Sequence, residues 1–372
     1  MVGANAVKTW VAGRGPTGTA EAPVRMSWRG DLVTVLLALW LIVGVFVDGW
    51  AHNNLARLET FFTPWHALFY SGFAAVAGWI LWSVWSGTRD GRSWRDAVPV
   101  GYGWALAGVA LFAVSGLGDM TWHVIFGIEQ NIAALLSPTH LGLFTGAFLV
   151  ITAPIRSAAG NPALGPEPGL RRLLPAVLSA TLAGASTAFI LQAWHPMIDN
   201  PISRAAAADM ANTFGPNAPW PQALQIKAGV ASFLLATVFF FGPLIYLART
   251  WRLPPSAAII VIATQSVLLQ AMLALRDVGL AELGVIGSLV TAALVAVLRP
   301  GPDSPARIRA FAGLAPALFW AVYVAGIGLA DHGLGWKPEL WAGSIVWSAL
   351  VGLAMTLALP ARTVAYQPAP AG

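Results

Sequence analysis

The chain has 372 residues, 57% of them hydrophobic and only 10% charged, with a net charge of +5 and a mean hydropathy of +0.68. A soluble domain carries roughly a quarter charged residues, so this composition excludes one and implies an all-α, polytopic integral membrane bundle. The positive charge then reports orientation in the bilayer rather than a nucleic-acid partner, and the absence of cysteine excludes disulfides and thiolate metal sites.

Residues 1–30 are polar and mix Lys8, Arg14, Arg25 and Arg29 with Gly, Pro and Ala. They read as a disordered cytoplasmic tail ahead of an uncleaved first helix. Ten apolar segments then reach spanning length, roughly 31–51, 63–86, 98–124, 138–156, 171–195, 222–248, 254–275, 278–298, 308–330 and 339–360. Ser86-Gly87, Pro162 to Pro168, Pro254-Pro255 and Pro300-Gly301-Pro302 break the runs. The long linker 196–221 is too polar for lipid and reads as a segment folded over one face. Residues 31–156 form an N-terminal four-helix unit, 157–362 a six-helix unit, and 363–372 a flexible tail.

Lys and Arg crowd the linkers on the side of the N-terminus, which places both termini in the cytoplasm of a bacterial inner membrane. All six histidines, His52, His66, His123, His140, His195 and His332, then lie on the opposite, extracytoplasmic side.

Four of them belong to a repeat. Residues 48–66 read D-G-W-A-H-N-N-L-A-R-L-E-T-F-F-T-P-W-H, and residues 119–140 read D-M-T-W-H-V-I-F-G-I-E-Q-N-I-A-A-L-L-S-P-T-H. Both run D-x3-H, then Glu six or seven residues on, then P-x-H, with Gly72 or Gly146 six residues after the last His. Asp48 and His52 share a helix face at i and i+4, as do Asp119 and His123. Pro64 and Pro138 suit the first turn of the returning helix, which sets His66 and His140 at the depth of the Asp-His pairs. The chain therefore repeats a helical hairpin with its polar residues at the outer turn. Weaker echoes follow at His195 and Asp199, at Arg276, Asp277 and Glu282, and at Asp331, His332 and Glu339; Arg276 beside Asp277 reads as an ion pair.

Ionisable residues at membrane depth are costly and usually functional. Imidazoles and carboxylates in these numbers suit a transition metal, with copper or zinc favoured over iron. The candidate ligands are Asp48, His52, His66, Asp119, His123, His140 and His195, with Glu59 and Glu129 as proton acceptors in catalysis. The competing reading is an ion-pair or proton-relay network that ties the outer helix ends together. One dinuclear centre and two mononuclear ones are both compatible with the spacing.

D-G-W-A-H, E-T-F-F-T-P-W-H, G-D-M-T-W-H-V-I-F-G-I-E and L-S-P-T-H resemble signatures of an uncharacterised group of bacterial polytopic membrane proteins, over about residues 30–155. Asp48, His52 and His66, and again Asp119, His123 and His140, also resemble the ligand pattern of the copper-binding membrane subunit of particulate methane and ammonia monooxygenases. The duplication and the ten-helix count depart from that family, so the resemblance implies a metal and not hydroxylation. The H-x3-H pair of the alkaline ceramidase type of membrane hydrolase is absent. The expected function is a membrane metalloprotein, oxidative or hydrolytic if an enzyme. The alternatives are a transporter or channel, and a non-catalytic subunit of a larger complex or homo-oligomer.

Overall fold

Several of the long apolar runs are started by a residue whose side chain satisfies one of the first backbone N–H groups, often with proline just inside. Ser27 caps α1 (Trp28–Asn54) through a bond from the Gly30 N–H. Thr63 and Pro64 open α2 (Pro64–Arg89), and Ser137 and Pro138 open α4 (Pro138–Ile151, resumed after Thr152 as Ala153–Ala159). Between them α3 spans Gly103–Phe126 and stops at Gly127, whose φ of 81° lies in the left-handed region. The remaining spans are α5 (Gly169–Ile190), α6 (Pro219–Thr250), α7 (Pro255–Met272), α8 (Val278–Leu298), α9 (Pro305–Ala330) and α10 (Pro338–Ala358). The computed structural model describes residues 22–55, 61–127, 135–215 and 219–360, and among these it contains ten helices long and apolar enough to cross a bilayer and no strand.

α1 with α2, and α3 with α4, form the two closest antiparallel pairs. Glycine makes the approach possible. A Cβ on Gly72 would lie 2.6 Å from the Leu41 nitrogen, and one on Gly146 would lie 2.7 Å from the Phe112 nitrogen. Close backbone packing through small residues is the usual basis of helix association in lipid, where apolar burial gives little drive. Both hairpins lean on α5, which also touches α6 and α7. Its run of Ala, Gly, Ser and Thr lets neighbours close in from several sides, and it is the most enclosed of the ten spans.

At the arginine-rich face a polar knot joins both hairpins. Buried Asp31 of α1 accepts hydrogen bonds from the Tyr102 hydroxyl at 2.7 Å and the Ser157 hydroxyl at 3.0 Å. Tyr102 also meets Thr34 at 2.9 Å, and Thr34 accepts from the Trp79 indole at 3.0 Å. This knot ties α1, α2, the start of α3 and the end of α4 at the face opposite the histidines.

Two expected boundaries shift, and the long linker gains a helix. The third helix begins at Gly103 rather than 98, because Pro99 and Gly101 (φ 89°) hold a turn. The fifth stops at Ile190 rather than 195. Pro196 lacks an N–H and pushes His195 into extended backbone, so His195 becomes the cap of the short helix Pro196–Asp199. The polar linker contains a further helix, Arg204–Phe214, capped by Ser203.

Candidate metal centre

Asp48 and His52 stand one turn apart at the C-terminal end of α1. The Thr63 cap accepts from the His66 N–H at 3.1 Å, which turns the first coil of α2 so that His66 faces them. The His66 Nε2 lies 3.4 Å from Asp48 Oδ1, and the His52 Nε2 lies 3.8 Å from Asp48 Oδ2. The second hairpin repeats the device. Ser137 accepts from the His140 N–H at 3.3 Å, and the Nε2 atoms of His123 and His140 lie 3.6 and 3.2 Å from Asp119 Oδ1. In each trio the three potential ligand atoms fall within 4.8 Å of one another, so each could hold a metal ion.

The outer side of each ring fixes what the inner side offers. The His66 Nδ1 lies 2.5 Å from the Phe61 carbonyl, and the His123 Nδ1 lies 3.2 Å from the Gly127 carbonyl. A carbonyl only accepts, so both Nδ1 atoms carry the hydrogen. In its neutral form such a ring turns a bare Nε2 lone pair toward a carboxylate oxygen, which is repulsive unless a cation lies between. A proton could serve, but a charge-assisted N–H···O bond closes to about 2.7–2.9 Å. The four N···O distances here, 3.2 to 3.8 Å, are wider. Two ligands each about 2.0–2.2 Å from one tetrahedral metal sit about 3.4 Å apart. The spacing therefore matches the ligand-to-ligand edge of a metal site better than an ion pair. Histidine ligands commonly donate their other N–H to a carbonyl, as His66 and His123 do.

The trios adjoin. The rings of His66 and His123 stack with centroids 6.3 Å apart, and Phe61 lies against both, at 4.9 and 6.0 Å. Their enclosures differ. The Asp119 side chain is 1% exposed and accepts from the Thr139 hydroxyl at 3.0 Å. The Asp48 side chain is 17% exposed, and its Oδ1 is buried without a hydrogen-bond donor. At the position of Thr139 the first hairpin has Trp65, which packs edge-on against Trp50 at 5.8 Å.

Of the other expected site residues, Glu59 and Glu129 lie outside the described residues. His195 is not gathered into either trio. It is fully buried, its Nδ1 accepts from the Met197 N–H at 3.2 Å, and its ring packs on Phe239 and Phe240 of α6. Burial pushes its imidazole down to about 3 and the nearby Asp199 carboxyl up to about 6. Asp199, Asp209, Asp277 and Asp331 line an open cleft of about 390 Å³ at this end of the C-terminal half. Arg276 does not pair with Asp277. Its guanidinium donates to the Asn53 carbonyl at 3.0 Å and to Asn54 Oδ1 at 3.1 Å, which fastens the α7–α8 turn to the end of α1 immediately after His52. Sequence reading missed Phe61, Tyr70 and Thr139; the four-residue step from His66 to Tyr70 was the signal available for Tyr70.

No protein-family model matches the chain, and no solved structure matches it. The chain is similar to a heme A synthase of Rhizorhabdus wittichii, 24% identical over 152 residues. That likeness takes in 36% of this chain and 40% of the relative, so it spans less than half of either protein.

Proposed function

We propose that the chain is a membrane metalloprotein of the bacterial inner membrane, with both termini cytoplasmic, that binds one transition-metal ion in each trio at its extracytoplasmic face. The observation that carries the reading is the set of Nε2-to-carboxylate distances, set at a metal's ligand edge by rings whose Nδ1 atoms are already committed. Each trio supplies two imidazoles and one carboxylate. Zinc, oxidised copper and non-haem iron all accept such a set, and it leaves coordination positions open for a substrate or water. An ion there would act as a Lewis acid or redox centre next to the outer leaflet. The resemblance of both trios to a copper-binding membrane subunit supports copper. Glu59 and Glu129, which fall in sequence between the two halves of each hairpin, are the proton acceptors this reading assigns.

Elemental analysis of the purified full-length chain tests it. Two equivalents of metal are expected for the native chain, and one for each of Asp48→Ala and Asp119→Ala. A native chain without stoichiometric metal overturns the reading.

The likeness to a heme A synthase favours a second reading, in which the outer histidines engage a haem. A Soret absorption band in the purified protein, lost in His66→Ala and His123→Ala, would select it over discrete metal ions.

A further inference from the structure

Tyr70 stands on α2 one turn beyond His66, on the side that faces the second hairpin. Its ring lies 6.4 Å from that of His66, 5.8 Å from Phe61 and 6.0 Å from Phe112 of α3. Opposite it is Gly116, one turn before Asp119. A Cβ on Gly116 would come within 2.9 Å of the Tyr70 Cε1 and 3.2 Å of its hydroxyl. The phenol lies within electrostatic reach of both Asp48 and Asp119. Yet its hydroxyl is buried and meets no hydrogen-bond partner among the described residues.

An unpaired buried hydroxyl costs free energy that a phenylalanine avoids. The chain contains the comparison itself, because the residue four after His140 in the second hairpin is Phe144. The hairpin design thus accommodates an aromatic ring without the hydroxyl, and the first hairpin carries the hydroxyl nonetheless. Asp48 Oδ1, on the same hairpin, is likewise buried without a hydrogen-bond partner among the described residues, as is the Trp122 indole nitrogen beside His123. Two of these three atoms are carried by the first hairpin, and the Tyr70 hydroxyl reaches across toward Gly116 of the second.

Resting on the metal reading above, we infer that Tyr70 donates a hydrogen bond to a small anion bound in the space between the hairpins, with the ion of the first trio as the anion's other anchor. In the second trio the aspartate is buried and already accepts from the Thr139 hydroxyl. Ligand exchange is therefore assigned to the first hairpin.

The test uses the full-length chain loaded with cobalt(II) as a spectroscopic substitute and titrated with sodium azide. Tyr70→Phe should bind cobalt as the native chain does but hold azide about tenfold more weakly, the worth of one charge-assisted hydrogen bond. Phe144→Tyr made in that background should not restore the affinity. In the unaltered protein, azide should shift the Tyr70 C–O stretch in difference infrared spectra, which reads the same contact without a substitution. Equal azide affinity in native and Tyr70→Phe protein, or azide binding with no shift of the Tyr70 band, overturns the inference while leaving the metal reading intact. Cobalt binding without any azide binding does the same. Failure of the native chain to take up any metal removes the metal reading, and this inference with it.

Discussion

The two N-terminal hairpins follow one pattern and differ in enclosure. In the second, Asp119 is sealed from solvent, held by Thr139, and lies closest to His140, which is 24% exposed. In the first, Asp48 has no such hydroxyl, Trp65 stands in its place, and His52 is 32% exposed. The buried histidine comes from the returning helix in the first hairpin (His66) and from the outgoing helix in the second (His123), and these two rings face each other. A duplicated sequence has thus produced a sealed site and an accessible one, side by side. One residue in each P-x-H motif, Trp65 or Thr139, accounts for much of the difference, because a hydroxyl there reaches the aspartate and an indole packs on its neighbour instead.

The largest expected effect tests that contrast directly. Asp119→Ala should abolish metal at the second trio and also destabilise the fold, because His123 and His140 would lose a buried partner; Asp48→Ala should abolish metal at the first trio with a smaller thermal shift. Metal content and melting in detergent, measured together, read both effects. Equal melting shifts for the two would break the comparison. Next in size, Thr139→Ala should weaken metal at the second trio by about 10–100-fold, as removal of an outer-shell partner commonly does, and leave the first unchanged. Removal of metal by a chelator should then change from two phases, the fast one belonging to the first trio, toward one.

Tyr102→Phe probes what the hairpins share. It takes a donor from buried Asp31 in the knot at the opposite face, with an expected loss of about 1–3 kcal/mol and no preference between the trios. Arg276→Ala is expected to be milder, since it removes two partly exposed bonds to the end of α1. Its effect should fall on the first trio alone, seen as faster release of one metal equivalent.

The smallest effect lies outside the hairpins. The Asp199 carboxyl is raised by burial from its usual 3.8 to about 6. A group whose folded value is raised contributes its stability below the unfolded value and loses it as pH rises through the folded one. Native protein should therefore lose a small increment between about pH 4 and 6, which Asp199→Asn removes. Metal content should not change. His195, lowered to about 3, acts in the opposite sense, losing its contribution as pH falls from 6.5; melting curves across this range in the single variants separate the two.

Much of the site was legible because its information is local. The i and i+4 spacing of Asp48 with His52, and the Pro64 and Pro138 starts, set depth and face before any tertiary contact forms. His195 was misleading for a local reason too. It follows an apolar run and precedes Asp199 at helical spacing, but α5 has already ended at Ile190, and Pro196 holds His195 in extended backbone as the cap of a separate short helix. Arg276 next to Asp277 suggested an ion pair, whereas the αL conformations of Ala274 and Leu275 swing the turn so that the guanidinium reaches α1.

The sequence by itself determined a ten-helix membrane protein and a doubled Asp/His device at one face, because hydrophobic length and helical periodicity are properties of short segments. Only the tertiary structure decided that the two devices adjoin, that one is sealed and the other open, and that Tyr70 stands between them with an unpaired hydroxyl. Those facts depend on how closely separate helices approach, which Gly72, Gly146 and Gly116 permit and which no single segment encodes.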